Sequence, residues 1–252
     1  MNAELYPEIF KRKSFHLFRN AGTEKLTAEE LGELETLYGT LEPLYPDIRT
    51  ALRIVPAEKV NFKRDAEYCL LIYSEKKENY RMNAGYLGEQ LDLELVKRGI
   101  GTLWFGIGKP DLPEFEGLDY VIMIAVRKIA DASQFRKDMF KAKRKPLGEI
   151  WSGETLGVAE IARFAPSACN SQPWFVKNED GRLTVFRYKK PGKRGIMPAA
   201  AVSYYNRIDM GIFLCILEIC MAEQKLAYTR ALFPDVSEEE YVKVAEYLPE
   251  GK

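Results

Sequence analysis

Four segments of this 252-residue chain carry side chains whose types and spacing suit chemistry. Ala165-Pro166-Ser167-Ala168-Cys169-Asn170-Ser171-Gln172-Pro173-Trp174 ends a helical pattern and enters a strand pattern. Its prolines fix φ, and its Ser and Asn side chains are short donors and acceptors beside backbone amides. Such a loop is either a capped helix-to-strand connection or one wall of a site for a polar, planar ligand. Lys11-Arg12-Lys13-Ser14-Phe15-His16-Leu17-Phe18 sets consecutive cations ahead of a hydroxyl. Arg offers a planar fork and Ser a short donor, a combination that suits a phosphate and equally a solvated surface. Lys141-Ala-Lys-Arg-Lys-Pro-Leu-Gly-Glu-Ile150 poses the same choice just before a helical pattern. Gly99-Ile-Gly-Thr-Leu-Trp-Phe-Gly-Ile-Gly-Lys-Pro110 is neither a dinucleotide fingerprint, since Trp104 takes the third glycine's place, nor a Walker loop, since Leu103 takes the first. Its small residues let backbone amides approach a flat ligand closely.

Composition narrows the field. Thirty-seven Lys+Arg balance 37 Asp+Glu, which argues against a general nucleic-acid binder. The one histidine, His16, rules out a poly-His metal site, and Cys69, Cys169, Cys215 and Cys220 contain no C-x-x-C pair. Met1 to Pro7 has no basic region followed by an apolar one, so it does not read as a secretory signal. The most apolar stretch, Gly211 to Ala222, is interrupted by Glu218 and is shorter than the ~20 residues of a membrane span. It reads as a buried core helix, and the whole as a soluble, cytoplasmic globular protein with one large domain or two small ones.

Alternating helices and strands must position the four segments. Thr27-Ala28-Glu29-Glu30 predicts a capping box opening a helix to about Tyr38. A Pro-punctuated passage (Pro43, Pro46, Pro56) follows. Tyr68 to Tyr73, Thr102 to Phe105 and Tyr120 to Val126 are short apolar runs that predict buried strands. Asn83 to Arg98 predicts a helix with Leu87, Leu91 and Leu95 on its apolar side and Gly99 as its stop. A basic segment spans Arg136 to Lys145, and Leu156 to Phe164 predicts a short helix. Pro173 to Lys177 and Leu183 to Tyr188 flank Asn178-Glu-Asp-Gly181, a hairpin signal. Arg207 to Gln224 predicts a central helix, and a second capping box at Ser237 to Glu240 predicts a C-terminal helix to about Leu248. The order helix, strand, long helix occurs twice, which suggests an internal repeat at low identity.

Taken together, the four segments resemble the nitroreductase family of flavoproteins. Arg12-Lys13-Ser14-Phe15-His16-Leu17-Phe18 resembles its N-terminal Arg-Arg-Ser motif. Residues 165–174 match its Ala-Pro-Ser-x-x-Asn-x-Gln-Pro-Trp loop, 99–106 its Gly-rich strand, and 144–150 its Arg-Lys-Pro-Leu-x-Glu-Ile segment. The chain departs from the family in order, because its Pro-Ser loop follows the Arg-Lys-Pro-Leu segment instead of preceding it.

The resemblance implies an α+β fold, a mixed and mainly antiparallel sheet flanked by helices. It implies an N-terminal half (1–150) with the phosphate motifs and a C-terminal half (151–252) with the Pro-Ser loop and the central helix, the two forming a pseudo-dimer around one FMN. A monomer is expected, with a homodimer also open. Arg12, Lys13 and Arg144 are expected to grip the FMN phosphate with Ser14, Lys145 and His16 beside them. Pro166, Ser167, Ala168, Asn170 and Gln172 are expected to line the flavin, and Phe105 and Gly106 to lie at its N5/O4 edge, where a backbone N–H can bond it. The implied activity is ping-pong hydride transfer from NADH or NADPH through FMN to a nitroaromatic, quinone or similar small acceptor, with no catalytic side chain, no metal, and no nucleic-acid or membrane partner. The alternative is a non-catalytic FMN-binding protein. Cys169 is expected to be a free, buried packing residue, and Cys215 and Cys220 to pack in the central helix. A symmetry-related second site would need a Pro-Ser loop near residues 53–58, which Arg53-Ile-Val-Pro-Ala-Glu58 does not supply, so that site is expected to be empty.

Overall fold

The computed structural model describes residues 3–62, 64–139, 142–188 and 197–250. A short helix α1 (Tyr6–Lys11) leads through the basic motif to α2 (Ala28–Thr40). The capping box at its start is formed: Thr27 Oγ1 accepts from the Glu30 N–H, and the Glu30 carboxylate accepts from the Thr27 N–H at 2.8 Å. Then come β1 (Thr50–Pro56), β2 (Tyr68–Ser74), α3 (Tyr80–Lys97), β3 (Ile100–Trp104), β4 (Glu114–Phe115) and β5 (Leu118–Lys128). The rest of the chain supplies β6 (Trp151–Ser152), α4 (Ala159–Ala162), β7 (Trp174–Glu179), β8 (Arg182–Tyr188), α5 (Ala199–Glu223), β9 (Tyr228–Leu232) and β10 (Tyr241–Pro249).

The fold is α+β, and its topology occurs twice. The first sheet runs β1-β2-β5-β3 and the second β7-β8-β10-β9, every neighbouring pair antiparallel. In each, a long helix follows the second strand of the path and leads into its last, α3 in one case and α5 in the other. The additions are β4 on β5, and β6 laid parallel on β7. The two long helices pack on each other through glycine. A Cβ at Gly85 would lie 2.1 Å from the Ile208 carbonyl oxygen, and one at Gly211 1.9 Å from that of Met82. Each glycine thus meets the residue three before the other, the reciprocity of a two-fold contact. The same superposition pairs Arg81 with Arg207 and Asn83 with Asp209.

Strand β2 alternates between two cores. Leu70 and Ile72 join a core containing α3, α5 and residues of the second sheet, whereas Cys69, Leu71 and Tyr73 face a second core with Phe15, Phe18, Phe62 and Phe105. Burial on both faces explains why 68–73 reads as a continuous apolar run. Glu218 interrupts the apolar α5 because it accepts from Tyr86 Oη (2.6 Å), Tyr247 Oη (2.7 Å) and Arg230 Nη1 (2.8 Å). Among the described residues no helix is long and apolar enough to cross a membrane.

Most expected elements are present. Asp180 (φ 53°) and Gly181 (φ 88°) make the two-residue turn of the β7–β8 hairpin, and Gly99 (φ 72°) follows α3. Three corrections stand. The predicted C-terminal helix is strand β10; Ser237 Oγ accepts from the Glu239 N–H at 3.0 Å in a local turn only. Tyr241, Val242, Val244 and Tyr247 are strand formers, and pairing with both β8 and β9 overrides the capping pattern. Second, β1 occupies part of the Pro-punctuated passage, with Pro56 at its end. Third, the counterpart of the 163–173 connection is the α2–β1 connection, residues 41–49, and not 53–58, which lie in β1 and the turn after it.

Candidate functional site

The basic N-terminal motif is docked on β3. Ser14 bridges Thr102 in parallel, and the Phe15 N–H bonds the Thr102 carbonyl at 2.9 Å. Arg12 is only 5 % exposed, and its Nε donates to Asp92 Oδ2 at 2.8 Å. Asp92, fully buried on α3, also accepts from Thr102 Oγ1 (2.5 Å) and Trp104 Nε1 (2.9 Å). It therefore anchors helix, strand and motif together. One turn earlier, Glu89 is fully buried, and neither of its carboxyl oxygens has a hydrogen-bond partner among the described residues. Burial, and then the charge of Asp92, hold Glu89 well above the ordinary carboxylate range, against the opposing pull of Arg12.

The loop after α4 is stitched to the second basic segment. Arg144 Nη2 donates to the Phe164 carbonyl (2.9 Å) and Nη1 to Asn170 Oδ1 (3.2 Å), while Asn170 Nδ2 donates to the Lys143 carbonyl (3.1 Å). The Lys145 N–H bonds Gln172 Oε1, and its Nζ bonds the Gln172 carbonyl, both at 2.8 Å. Ser167 Oγ accepts from the Gln172 N–H at 2.9 Å. Asp209 on α5 holds the loop from below, accepting from the Ala168 N–H (2.9 Å) and Ser171 Oγ (3.3 Å). Three non-glycine residues here, Cys169, Asn170 and Gln172, have positive φ (51°, 54° and 47°). Backbone of this kind persists where its surroundings dictate it, and it concentrates at ligand sites.

Electrostatics draw the two basic segments into one cluster. Burial lowers Arg144 to about 10, and the positive charges of Arg12, Arg136 and Arg163 add to that, with Glu89 opposing. Burial and then Arg12 lower Arg136, and burial and then Arg136 lower Lys13. For Arg12 the negative charges of Asp92 and Glu89 outweigh burial, so it is raised. Arg12 Nη2, Arg144 Nε and Arg163 Nε are buried donors without a hydrogen-bond partner among the described residues. Like charges held together with unspent N–H groups are the requirement of a phosphate site. On the opposite flank, the Tyr205 hydroxyl of α5 donates to the Gly106 carbonyl.

Arg12, Lys13 and Arg144 thus share one cluster, while Ser14 sits beside them on β3. Ser167, Ala168, Asn170 and Gln172 form the adjoining wall with half-buried Pro166, and Gly106 the flank. Lys145 is buried, and its ammonium holds the Gln172 carbonyl. Phe105 is buried against Phe62, its N–H spent on the Met123 carbonyl at 2.9 Å, so Gly106 is the member of the pair whose N–H lies outside the ladder. His16 is exposed, and among the described residues no hydrogen bond or ion pair ties it to the cluster. Cys169 is free as expected but exposed, not buried, because the positive-φ turn carries it to the surface; Cys215 and Cys220 are buried. Lys141 lies outside the described residues. Sequence reasoning did not single out Asp92, Glu89, Arg163, Tyr205 or Asp209. Two acidic residues beside the Leu87-Leu91-Leu95 stripe, and the recurrence of Arg-x-Asn/Asp-x-Gly at 81–85 and 207–211, are the signals that could have found the three carboxylates.

Residues 4–221 match the family model described as "Putative TM nitroreductase". Among solved structures the chain is similar to a "putative nitroreductase" from Thermotoga maritima, at 18% identity over 98% of this chain and 93% of that one, with a TM-score of 0.61. It is also similar to a nitroreductase family protein from Clostridium difficile, at 17% identity over 62% of this chain and 99% of that one, with a TM-score of 0.46. No curated protein matches the chain.

Proposed function

The chain belongs to the nitroreductase family, and from that premise we propose that it is an FMN-dependent oxidoreductase using NADH or NADPH to reduce nitroaromatic, quinone or similar small acceptors. The observation that carries this reading is the cluster of Arg12, Lys13, Arg136, Arg144 and Arg163, with its orphaned N–H groups, beside the 165–172 loop. The residues present fit the cofactor: a phosphate monoester brings roughly −1.5 to −2 charge, and these cations would answer it.

In this reading Arg12 Nη2, Lys13, Ser14 and Arg144 hold the phosphate. Ser167, Asn170 and Gln172 wall the ring system and ribityl chain, and the Gly106 N–H meets the reactive edge. FMN bound there would supply the hydride chemistry that links a nicotinamide donor to the acceptor. The chain's own part is to bind, orient and exclude water. Tyr205, through its bond to the Gly106 carbonyl, fixes the glycine's peptide, and Asp92 fixes Arg12.

We further propose one FMN per chain, the halves 1–150 and 151–252 acting as a fused pair within a cytoplasmic monomer. In the second half's version of the site Pro43 stands where Pro166 does, and the Tyr45 N–H bonds Asn83 Oδ1 as the Ala168 N–H bonds Asp209, both at 2.9 Å. Leu44, however, takes the place of Ser167, Glu218 that of Asp92, and Arg230 is spent on Glu218. Among the described residues lining the space between Pro43 and Glu218, Arg230 is the only cation. FMN titration of the purified protein, followed by absorbance, should saturate at one per chain, and anaerobic NADH or NADPH should bleach it. A colourless protein without FMN affinity overturns the reading, a flavin that stays oxidised points to the non-catalytic binder, and two FMN per chain refute the fused-pair site.

A further inference from the structure

Asp209 lies at the centre of the repeat, 3 % exposed, facing the 165–172 loop from α5. Its carboxyl accepts from the Ala168 amide and the Ser171 hydroxyl, and among the described residues no cation pairs with it. Its neighbours are committed elsewhere. On α5, Arg207 is turned to Asp235 and Glu238, and Tyr205 to the Gly106 carbonyl. On α3, Tyr86 bonds Glu218, and Glu89 feels Arg12, Asp92 and Arg144. From the loop, Cys169 is exposed. In the other half Asn83 takes the same place and accepts the same kind of amide bond with a group that cannot ionise.

We propose that Asp209 is a positioning residue that couples docking of the 165–172 loop, and with it flavin affinity, to uptake of a proton from solvent. The link to affinity rests on the reading that this loop walls the flavin site. With the loop docked, the carboxyl is buried without a counter-charge and favours its neutral form; with the loop lifted, it meets water and favours the carboxylate. Burial raises it from 3.8 to about 7, with the Ala168 and Ser171 bonds opposing. The docked state binds the proton more tightly, so docking is strongest at low pH and weakens as pH rises through the docked value. Between pH 6 and 8 the docking equilibrium falls about tenfold.

The test compares the parent with Asp209→Asn, for which Asn83 is the native precedent. FMN dissociation constants are measured by flavin fluorescence from pH 6 to 8. Ionisation of the FMN phosphate affects both proteins alike, so the ratio of the two constants isolates Asp209. That ratio is expected to rise about tenfold across the range. In flavin-free protein, hydrogen exchange of the Ala168 amide, which donates to Asp209 while the loop is docked, reports loop lifting directly, and its parent-to-variant ratio should rise over the same interval. Parallel profiles in both measurements overturn the proposal. If neither protein binds FMN at any pH, the functional reading fails and the Ala168 exchange ratio alone decides the proton link. Should Asp209→Asn not fold, Ser171→Ala removes a bond that favours the carboxylate and should move the midpoint of Ala168 amide protection to higher pH; an unmoved midpoint counts against the proposal.

Discussion

Replacing Asp92 by Ala would strip three donors of their shared acceptor at once. Arg12, 5 % exposed, would keep its charge with no ion-pair partner, and the Thr102 hydroxyl and Trp104 indole would lose their bonds. Removing one partner of a buried ion pair costs ~3–5 kcal/mol, most of it the stranded charge. Glu89 decides where in that range the loss falls. Its proton is held above the ordinary carboxylate range, and where Arg12 draws it into ionisation the cost shrinks and becomes pH-dependent, larger at acid pH where Glu89 keeps its proton. For a chain of this size about 4 kcal/mol corresponds to a fall of roughly 10 °C in Tm. Urea unfolding of flavin-free protein, followed by tryptophan fluorescence and far-UV circular dichroism, measures the loss without a ligand contribution. The double variant Arg12→Met, Asp92→Leu removes both charges and should recover most of the stability, since apolar replacement of a buried pair is often neutral or better. A loss under ~1 kcal/mol for Asp92→Ala, or a double variant as unstable as the single one, would refute the assignment of Asp92 as the anchor of the motif.

Three other outcomes are expected. Glu89→Gln mimics the protonated carboxyl: the folded state holds that proton above the ordinary carboxylate range, so the parent loses stability with rising pH and the variant does not, and the Tm advantage of the variant should grow from pH 5 to pH 9. An advantage that stays flat would mean Glu89 does not titrate as its burial requires. Gly211→Ala forces a Cβ to within 1.9 Å of the Met82 carbonyl and should cost more than ~2 kcal/mol by urea unfolding, whereas Gly32→Ala in α2, with open space around it, should stabilise by up to ~1 kcal/mol. Of four thiols, one, Cys169, should react with a thiol reagent in the folded protein and all four in denaturant; fast labelling of a second would contradict the packing of α5 or β2.

What could be read from the sequence depended on how local the determining physics was. The capping box at Thr27, the Asp180-Gly181 turn and the doubly buried run 68–73 are decided within a few residues, and each is present. Strand β10 is decided by β8 and β9 on either side of it, and the local Ser237 pattern pointed the other way. At the site, the four segments drew attention through their own residue types, and the structure joins Arg144 to Asn170 and Lys145 to Gln172. The anchors were hidden because their partners are remote in sequence. Asp92 is 80 residues from Arg12, and nothing in a leucine-rich helix announces which acid faces inward. Lys145 was singled out for its charge, and its ammonium donates to a backbone carbonyl that no local pattern announces, that of Gln172.

The reciprocal contact at Gly85 and Gly211 lies within one polypeptide. Where a site is divided between separate subunits, dilution below their dissociation constant dismantles it, and activity per molecule falls with concentration. Here the basic motif and Gly106 are tethered to the 165–172 loop and Tyr205 by continuous backbone, so the effective concentration of one half at the other is set by the chain and not by the cell's supply of protein. On the proposed fused-pair reading, the completeness of this site is independent of expression level, and a trace of the protein holds it as intact as an abundance does.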